Sequence, residues 1–170
     1  MSDAASSPGP ADGAAADASA GSDGDCYTCR QTALADAGSA AARENIAGDA
    51  SWRVAHAFGS ALPGWLVLVP RRHVLALADL TADEAALLGT WLHQLSVALR
   101  DETDCVKTYV LQLAEGEGFG HVHFHVVPRL ADQPADRTGS QVFGYLADPA
   151  AAVSDAEQDA LAVRLSRRLG

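Results

Sequence analysis

The sequence predicts a single α+β domain with a mostly antiparallel sheet of about five strands and helices on one face. Three observations support this prediction. Short apolar segments with the two-residue period of strands are separated by turn residues. Two longer segments carry a helical apolar stripe behind an N-terminal capping box. The chain has 170 residues, a length that favours one domain rather than two.

Residues 1–25 differ in composition from the rest of the chain. Apart from Met1 they are all Ala, Ser, Gly, Pro or Asp, and they include five aspartates but no Lys or Arg. A segment without bulky apolar side chains cannot offset the entropy that it would lose on folding. We therefore predict a disordered tail over residues 1–25 and a folded domain over residues 26–170. The tail lacks the basic start and leucine-rich middle of a secretory signal.

The sequence predicts one short helix and three strands in the first half of the domain. The helix covers 30–37 and ends at Gly38, and the strands cover 44–47, 52–58 and 65–69. The second strand has the clearest pattern, because alternate residues from Trp52 to Phe58 follow the period of a pleated strand. Turns separate the strands, at Gly48-Asp49 and at Pro63-Gly64.

In the second half of the domain the sequence predicts two strands and two long helices. Thr81 and Glu84 form a capping box, in which each side chain bonds the other residue's backbone N–H group. The helix that follows presents one apolar stripe to the sheet, made of Leu88, Trp91, Leu92, Leu95 and Leu99. Strands are predicted over 106–113 and 122–127. Ser154 and Glu157 repeat the capping box at the start of a final helix.

Charge, hydropathy and cysteine count exclude several classes of function. The formal net charge is −10 at pH 7, which is the wrong sign for binding a nucleic-acid backbone, so no nucleic-acid partner is expected. No apolar run approaches the roughly 18 residues of a membrane span, so no membrane partner is expected. Three cysteines do not make a disulfide framework, and we predict a cytoplasmic protein.

The segment 121–128 has the sequence His-Val-His-Phe-His-Val-Val-Pro. Because strand side chains alternate between faces, His121, His123 and His125 share one face. At a rise of ~3.3 Å per residue the outer two Cα atoms lie roughly 13 Å apart, too far for one zinc ion to bind all three rings. Two chemistries remain open: neighbouring histidines share a metal, or one ring acts as a nucleophile with the others as its partners.

This row resembles the motif of the histidine-triad (HIT) superfamily of nucleotide hydrolases and transferases. The resemblance rests on His-x-His-x-His-x-x-Pro and on an earlier Pro-Gly-apolar run that ends in Pro-x-x-His at His73. It covers residues 26–129 and implies a HIT-like fold, a homodimer and a small-molecule nucleotide substrate. It also implies that His123 attacks the α-phosphate to form a nucleotidyl-histidine. The His121 carbonyl would fix the tautomer of that ring, and His125 would face the phosphate oxygens.

The Cys26-x-x-Cys29 pair has two chemical interpretations. A redox pair is expected to follow a strand and open a helix, whereas this pair follows the tail, so half of a zinc site is favoured. The resemblance to bacterial HIT proteins supplies the other two ligands, His73 and His121. It implies a structural zinc ion rather than a catalytic one.

Three residues are candidates for substrate binding. Arginine binds phosphate oxygens bidentately, and Arg71 and Arg129 flank the two motifs. Gln112 is placed on the strand before the histidine row. The alternative interpretation of these side chains is that they are solvated polar groups at strand ends.

The sequence departs from the HIT pattern at three places. Trp65 stands where the family often has a histidine, and an indole N–H is not expected to replace an acceptor. Ala57 stands where an aspartate often binds the ribose, and residues 117–120 replace a Gly-Gln-Ser/Thr segment. These departures put the rate of catalysis and the nucleotide specificity in question more than the nucleophile.

The predicted function is the hydrolysis or transfer of a nucleotidyl group, from a phosphoramidate or a dinucleoside polyphosphate. Two alternatives stay open. The departures from the pattern favour a catalytically weak nucleotide-binding module. The histidine row also allows a metal-dependent enzyme, with two triad histidines and a third ligand from elsewhere in the chain.

Overall fold

The computed structural model describes residues 26–116, 118–147 and 149–170, so the tail predicted over residues 1–25 lies outside the described residues. The α-helices are α1 (Tyr27–Asp36), α2 (Ala82–Thr103) and α3 (Asp155–Leu169). The strands are β1 (Ala47–Gly48), β2 (Trp52–His56), β3 (Leu66–Pro70), β4 (Lys107–Leu111) and β5 (Phe124–Arg129). Short 3-10 helices cover Ala42–Glu44, Leu77–Asp79, Ala135–Arg137, Gly139–Leu146 and Pro149–Ala151.

The strands form one antiparallel sheet in the order β1-β2-β3-β5-β4. β2 pairs with β3 from Trp52 opposite Pro70 to His56 opposite Leu66. β3 pairs with β5 on its other side, and this places His125 opposite Val67 near the middle of the sheet. β4 pairs only with β5 and is an edge strand. The predicted α+β fold class is confirmed.

One face of the sheet packs against α2 and α3. Alternate residues of the central strands point into this core. Two of them, Trp52 and Phe124, pack edge to face with 6.0 Å between their ring centroids. The predicted stripe of α2 lies in the same core, with Trp91, Leu95 and Leu99 buried and Leu88 and Leu92 packed against them. Each large apolar side chain buried in this way contributes about 1.5–3 kcal/mol.

Both predicted capping boxes are present. The Thr81 hydroxyl accepts a hydrogen bond from the Glu84 backbone N–H, and the Glu84 carboxylate accepts one from the Thr81 backbone N–H. Ser154 and Glu157 make the same exchange at the start of α3. The first turn of α2 is also tied to the sheet, because the Trp52 indole N–H donates to the Glu84 carbonyl at 3.1 Å.

The opposite face of the sheet is covered only in part. At one end Arg53 of β2 donates a hydrogen bond from Nε to Thr32 of α1 at 3.1 Å, so α1 lies on this face while the two long helices lie on the other. At the other end Val142, in the Gly139–Leu146 segment, is buried against Trp65 and Val127. The uncovered part between these two elements is where the histidine row emerges.

The structure differs from the predicted elements where apolar periodicity is weak. α1 begins at Tyr27 rather than at residue 30. The strand predicted over 44–47 is a 3-10 turn followed by the two-residue β1, because only this short piece finds backbone partners along β2. No described helix has the length and apolar character that a membrane span needs.

Candidate active site

A cavity of about 630 Å³ opens on the partly covered face of the sheet. Its floor is β2 and β3, and its walls come from α1, the loop after β4 and the Gly139–Leu146 segment. The aromatic side chains that line it are Tyr27, Phe58, Phe119 and Phe143, and the polar ones include Glu44, Arg53, Glu115, His123 and His125. A mostly apolar cavity with a few convergent polar groups is the usual form of a small-molecule site.

His123 lies at the entry to β5 and is half-buried in the cavity wall. Its Nδ1–H donates a hydrogen bond to the His121 backbone carbonyl at 2.8 Å. A neutral imidazole carries one N–H, so this bond leaves the Nε2 lone pair available as a base or a nucleophile.

His125 follows two residues later and is 8% exposed. Its Nδ1 accepts a hydrogen bond from the Trp65 indole N–H at 3.0 Å, and its ring meets the His123 ring at 4.8 Å between centroids. Burial lowers the pKa of His125 from 6.5 to about 4, and the neighbouring His123 acts in the same direction. The ring is therefore neutral at physiological pH.

The third histidine of the row points away from the cavity, toward the N-terminus of α1. His121 Nδ1 lies 3.6 Å from Cys26 Sγ and 3.5 Å from Cys29 Sγ, and His73 Nδ1 lies 3.2 Å from Cys29 Sγ. The four ligand atoms lie within 4.8 Å of one another. Four residues from three separate segments thus converge on one point.

This arrangement fits a tetrahedral zinc ion. Zinc bonds of about 2.3 Å to sulfur and 2.0–2.1 Å to nitrogen place neighbouring S and N ligands about 3.6 Å apart, close to the separations observed. The His121 Nε2–H donates to the Pro70 carbonyl at 3.0 Å, which leaves Nδ1 free to bind the metal. Burial, with His73 nearby, lowers the pKa of His121 to about 4 and keeps the ring neutral, as a metal ligand must be.

Comparison with known proteins agrees with this geometry. No protein-family model matches the sequence, and no curated protein matches it. Among solved structures, a histidine triad protein from Bradyrhizobium japonicum is 26% identical, with 74% of this chain and 90% of that chain covered and a TM-score of 0.62. A Zn-bound histidine triad family protein from Mycobacterium smegmatis is 19% identical, with 85% and 94% covered and a TM-score of 0.60. A hypothetical histidine triad nucleotide-binding protein from Sulfolobus tokodaii is 14% identical, with 83% and 91% covered and a TM-score of 0.61.

The chain has the fold of the histidine-triad superfamily. The predicted resemblance is confirmed at the level of the fold. The cluster of Cys26, Cys29, His73 and His121 is consistent with zinc binding.

The triad cavity and the cysteine pair are linked through Tyr27, which lies between the two cysteines in sequence. Its ring packs against Phe58 at 5.3 Å and Phe119 at 5.9 Å between centroids. Its hydroxyl donates to Glu44 Oε1 at 3.0 Å, and burial together with that carboxylate raises the pKa of Tyr27 to about 12. The helix that carries the two cysteines therefore also builds one wall of the cavity.

The predicted substrate-binding residues are not among those that line the cavity. The Arg71 guanidinium donates to the Asp49 carbonyl at 2.6 Å and pairs with Asp36. The Arg129 guanidinium donates to the carbonyl of the next residue, Leu130, at 2.5 Å. Gln112 follows the end of β4, and none of the three predicted residues is among those that line the cavity.

Several cavity residues were not predicted from sequence. Phe143 lies in a segment for which the sequence predicted no structure, and its ring packs against His125 at 5.4 Å and Trp65 at 5.6 Å between centroids. Arg53 is 2% exposed and pairs with Glu44 at 3.9 Å, so a buried cation is also among the groups that line the cavity. The one signal available for Arg53 was a charged residue in a strand that is otherwise apolar except for His56.

Proposed function

We propose that the protein is a nucleotidyl hydrolase or transferase in which His123 attacks the α-phosphorus of a nucleoside phosphate derivative, such as a phosphoramidate. The observation that carries the proposal is the hydrogen bond from His123 Nδ1–H to the His121 carbonyl, on a ring that lines the cavity. In the neutral ring this bond keeps the proton on Nδ1 and leaves the lone pair on Nε2, and an imidazole nitrogen with a free lone pair is a nucleophile.

The proposed reaction has two steps. In the first, Nε2 of His123 forms a bond to phosphorus while the bond from phosphorus to the leaving group breaks, and the leaving group takes the electron pair and then a proton from solvent. In the second, water attacks phosphorus, the P–N bond breaks, and its electron pair returns to Nε2. The proton of the attacking water passes to solvent, and an alcohol or amine in place of water would make the reaction a transfer.

The substitution His123→Ala tests the proposal. We expect it to abolish turnover of an adenosine phosphoramidate and to prevent a base-stable, acid-labile label from forming on the protein with α-labelled substrate. His93→Ala is the matched control, because His93 is an exposed histidine on α2. Wild-type turnover by the His123 variant, in a protein with an unchanged circular dichroism spectrum, would overturn the proposal.

We also propose that Cys26, Cys29, His73 and His121 hold a structural zinc ion. All four ligand positions come from the protein, and a closed tetrahedral set leaves no position for substrate. The ion would fasten the start of α1 to the sheet. Metal analysis of the purified protein should give about one zinc per chain, with loss of the metal in Cys29→Ser. Cys105→Ala is the control, because Cys105 is buried in the core on the other face.

The two alternative functions are distinguished by the same experiments. A metal-dependent enzyme needs a triad ring that binds a metal beside the substrate, but the cluster found among the described residues includes neither His123 nor His125. A binding module is favoured by Ala57, which lines the cavity without offering a carboxylate to a ribose. Binding of AMP without turnover or protein label would identify that module.

A homodimer and a cytoplasmic location complete the proposal. β4 is an edge strand, and the neighbouring side chains of Val106, Val110 and Leu113 are exposed. A second copy pairing along this strand would cover them, since an exposed edge strand offers unpaired backbone groups. Light scattering of the purified protein measures its mass in solution, and a monomeric mass at micromolar concentration would contradict the homodimer.

A further inference from the structure

Trp65, one of the departures from the expected pattern, makes a side-chain hydrogen bond to the histidine row. Trp65 is fully buried, and its indole N–H donates to His125 Nδ1 at 3.0 Å. Its ring meets the His125 ring edge to face, at 5.5 Å between centroids and an interplanar angle of 83°. Phe143 packs against both rings. Phe143 therefore contacts both members of the hydrogen-bonded pair.

We propose that Trp65 is a positioning residue that fixes His125 as a neutral Nε2–H tautomer, so that this ring donates a hydrogen bond to a phosphate oxygen of the substrate. This inference rests on the proposed function for its substrate. The sequence had predicted that an indole could not take over the acceptor role of a histidine, and the structure assigns it the opposite role, that of a donor.

The argument follows from the donors and acceptors available. An indole N–H can only donate, so His125 Nδ1 must accept and cannot carry a proton while the bond exists. The single proton of the neutral ring is then on Nε2, the only ring nitrogen left to face the cavity that His125 lines. A donor held in place before the reaction stabilises charge that develops on a phosphate oxygen without further reorganisation.

The burial of both groups strengthens the restraint. If the hydrogen bond were broken, the indole N–H would be left without its acceptor inside the protein, and unsatisfied buried donors are costly. Protonation of Nδ1 would break this bond. The ring therefore acts as a hydrogen-bond donor and not as an imidazolium that transfers a proton to the leaving group.

The experiment compares the zinc-containing wild-type protein with Trp65→Phe, which keeps an aromatic ring and removes the donor. Two-bond ¹H–¹⁵N spectra of the histidine rings at pH 7.5 report the tautomer, and His125→Asn assigns the signal. We expect the Nε2–H tautomer alone in the wild type and a mixture that includes Nδ1–H in Trp65→Phe. Turnover of an adenosine phosphoramidate should fall by the same factor as the population of the Nε2–H tautomer.

Trp52→Phe is the matched control. Trp52 is also fully buried, and its indole N–H also has an acceptor, the Glu84 carbonyl, but it lies on the other face of the sheet. This variant should lose a comparable amount of stability while the His125 tautomer stays unchanged. A change of tautomer in Trp52→Phe as large as that in Trp65→Phe would overturn the inference.

Other outcomes are equally decisive. An unchanged tautomer in Trp65→Phe, or a changed tautomer with wild-type turnover, would overturn the positioning role. If Trp65→Phe does not fold, a scalar coupling across the hydrogen bond between Trp65 Nε1 and His125 Nδ1 in the wild type supports the role, and its absence overturns it. A wild type that never turns over substrate, but whose His125 tautomer depends on Trp65, would refute the proposed function and leave the tautomer assignment intact.

Discussion

His56 makes the stability of this protein depend on pH in a way that can be measured. The side chain lies at the end of β2 and is 3% exposed. Burial lowers its pKa from 6.5 to about 4, and the Ala57 backbone and the carboxylate of Asp159 offset only part of that effect. Because the folded-state pKa is below the unfolded one, the unfolded chain binds the proton more readily. Stability is therefore lost as the pH falls from 6.5 toward 4, and this loss levels off below pH 4.

The expected magnitude follows from these two pKa values. At about 1.4 kcal/mol per pH unit, lowering the pKa from 6.5 to about 4 corresponds to roughly 3 kcal/mol at acid pH. Between pH 7.5 and 4.5 the contribution is roughly 2.5 kcal/mol. His56→Leu removes the titrating group, so the variant should gain that amount relative to wild type over the same pH range, whatever its stability at pH 7.5.

The assay is urea unfolding of the wild type and of His56→Leu at several pH values, with the free energy of unfolding as the readout. Other titrating groups are common to both proteins and cancel in the difference. His93→Leu, at an exposed position of α2, tests whether the effect belongs to the buried ring. A difference between wild type and His56→Leu that stays constant from pH 7.5 to 4.5 would refute the reasoning.

Two further predictions concern the cavity wall and the folding of α2. Tyr27→Leu removes an aromatic ring from the cavity lining, together with its contacts with Phe58 and Phe119, so we expect AMP to bind several-fold more weakly by calorimetry while the zinc content is unchanged. Loss of zinc in that variant would show that Tyr27 supports the metal site rather than the binding of AMP. Thr81→Ala removes the capping hydroxyl that Glu84 N–H uses, and should lower the free energy of unfolding by about 1 kcal/mol in urea titrations. Equal stability of Thr81→Ala and wild type would show that the capping box contributes nothing to the fold.

The elements that the sequence predicted well are those whose signals are local. Capping boxes at Thr81 and Ser154 depend on residues three positions apart, and both are present. Alternation in β2 and the stripe of α2 depend on side-chain periodicity, which is the same in every fold. The first strand was placed too early because pairing with β2, and not local sequence, decides where β1 begins.

In the candidate site, too, some features were predictable from local sequence and others were not. Alternation predicted one face for His121, His123 and His125. His123 and His125 line the cavity, whereas the His121 ring lies beside Cys26 and Cys29. Arg71 and Arg129 lie next to the two motifs in sequence, but their guanidinium groups bond to nearby backbone carbonyls and, for Arg71, to the Asp36 carboxylate. The position of a residue at the end of a strand does not determine the direction of its long, flexible side chain.

The sequence by itself determined the superfamily motif, the strand that carries it and the residue types able to hold zinc. Only the tertiary structure brought Cys26, Cys29, His73 and His121 to one point, and only it placed Trp65 as the donor to His125. The physical reason is that periodicity and capping act over a few residues. Metal geometry and hydrogen-bond direction depend instead on how distant strands and helices pack, as when β3 beside β5 brings residue 65 to residue 125.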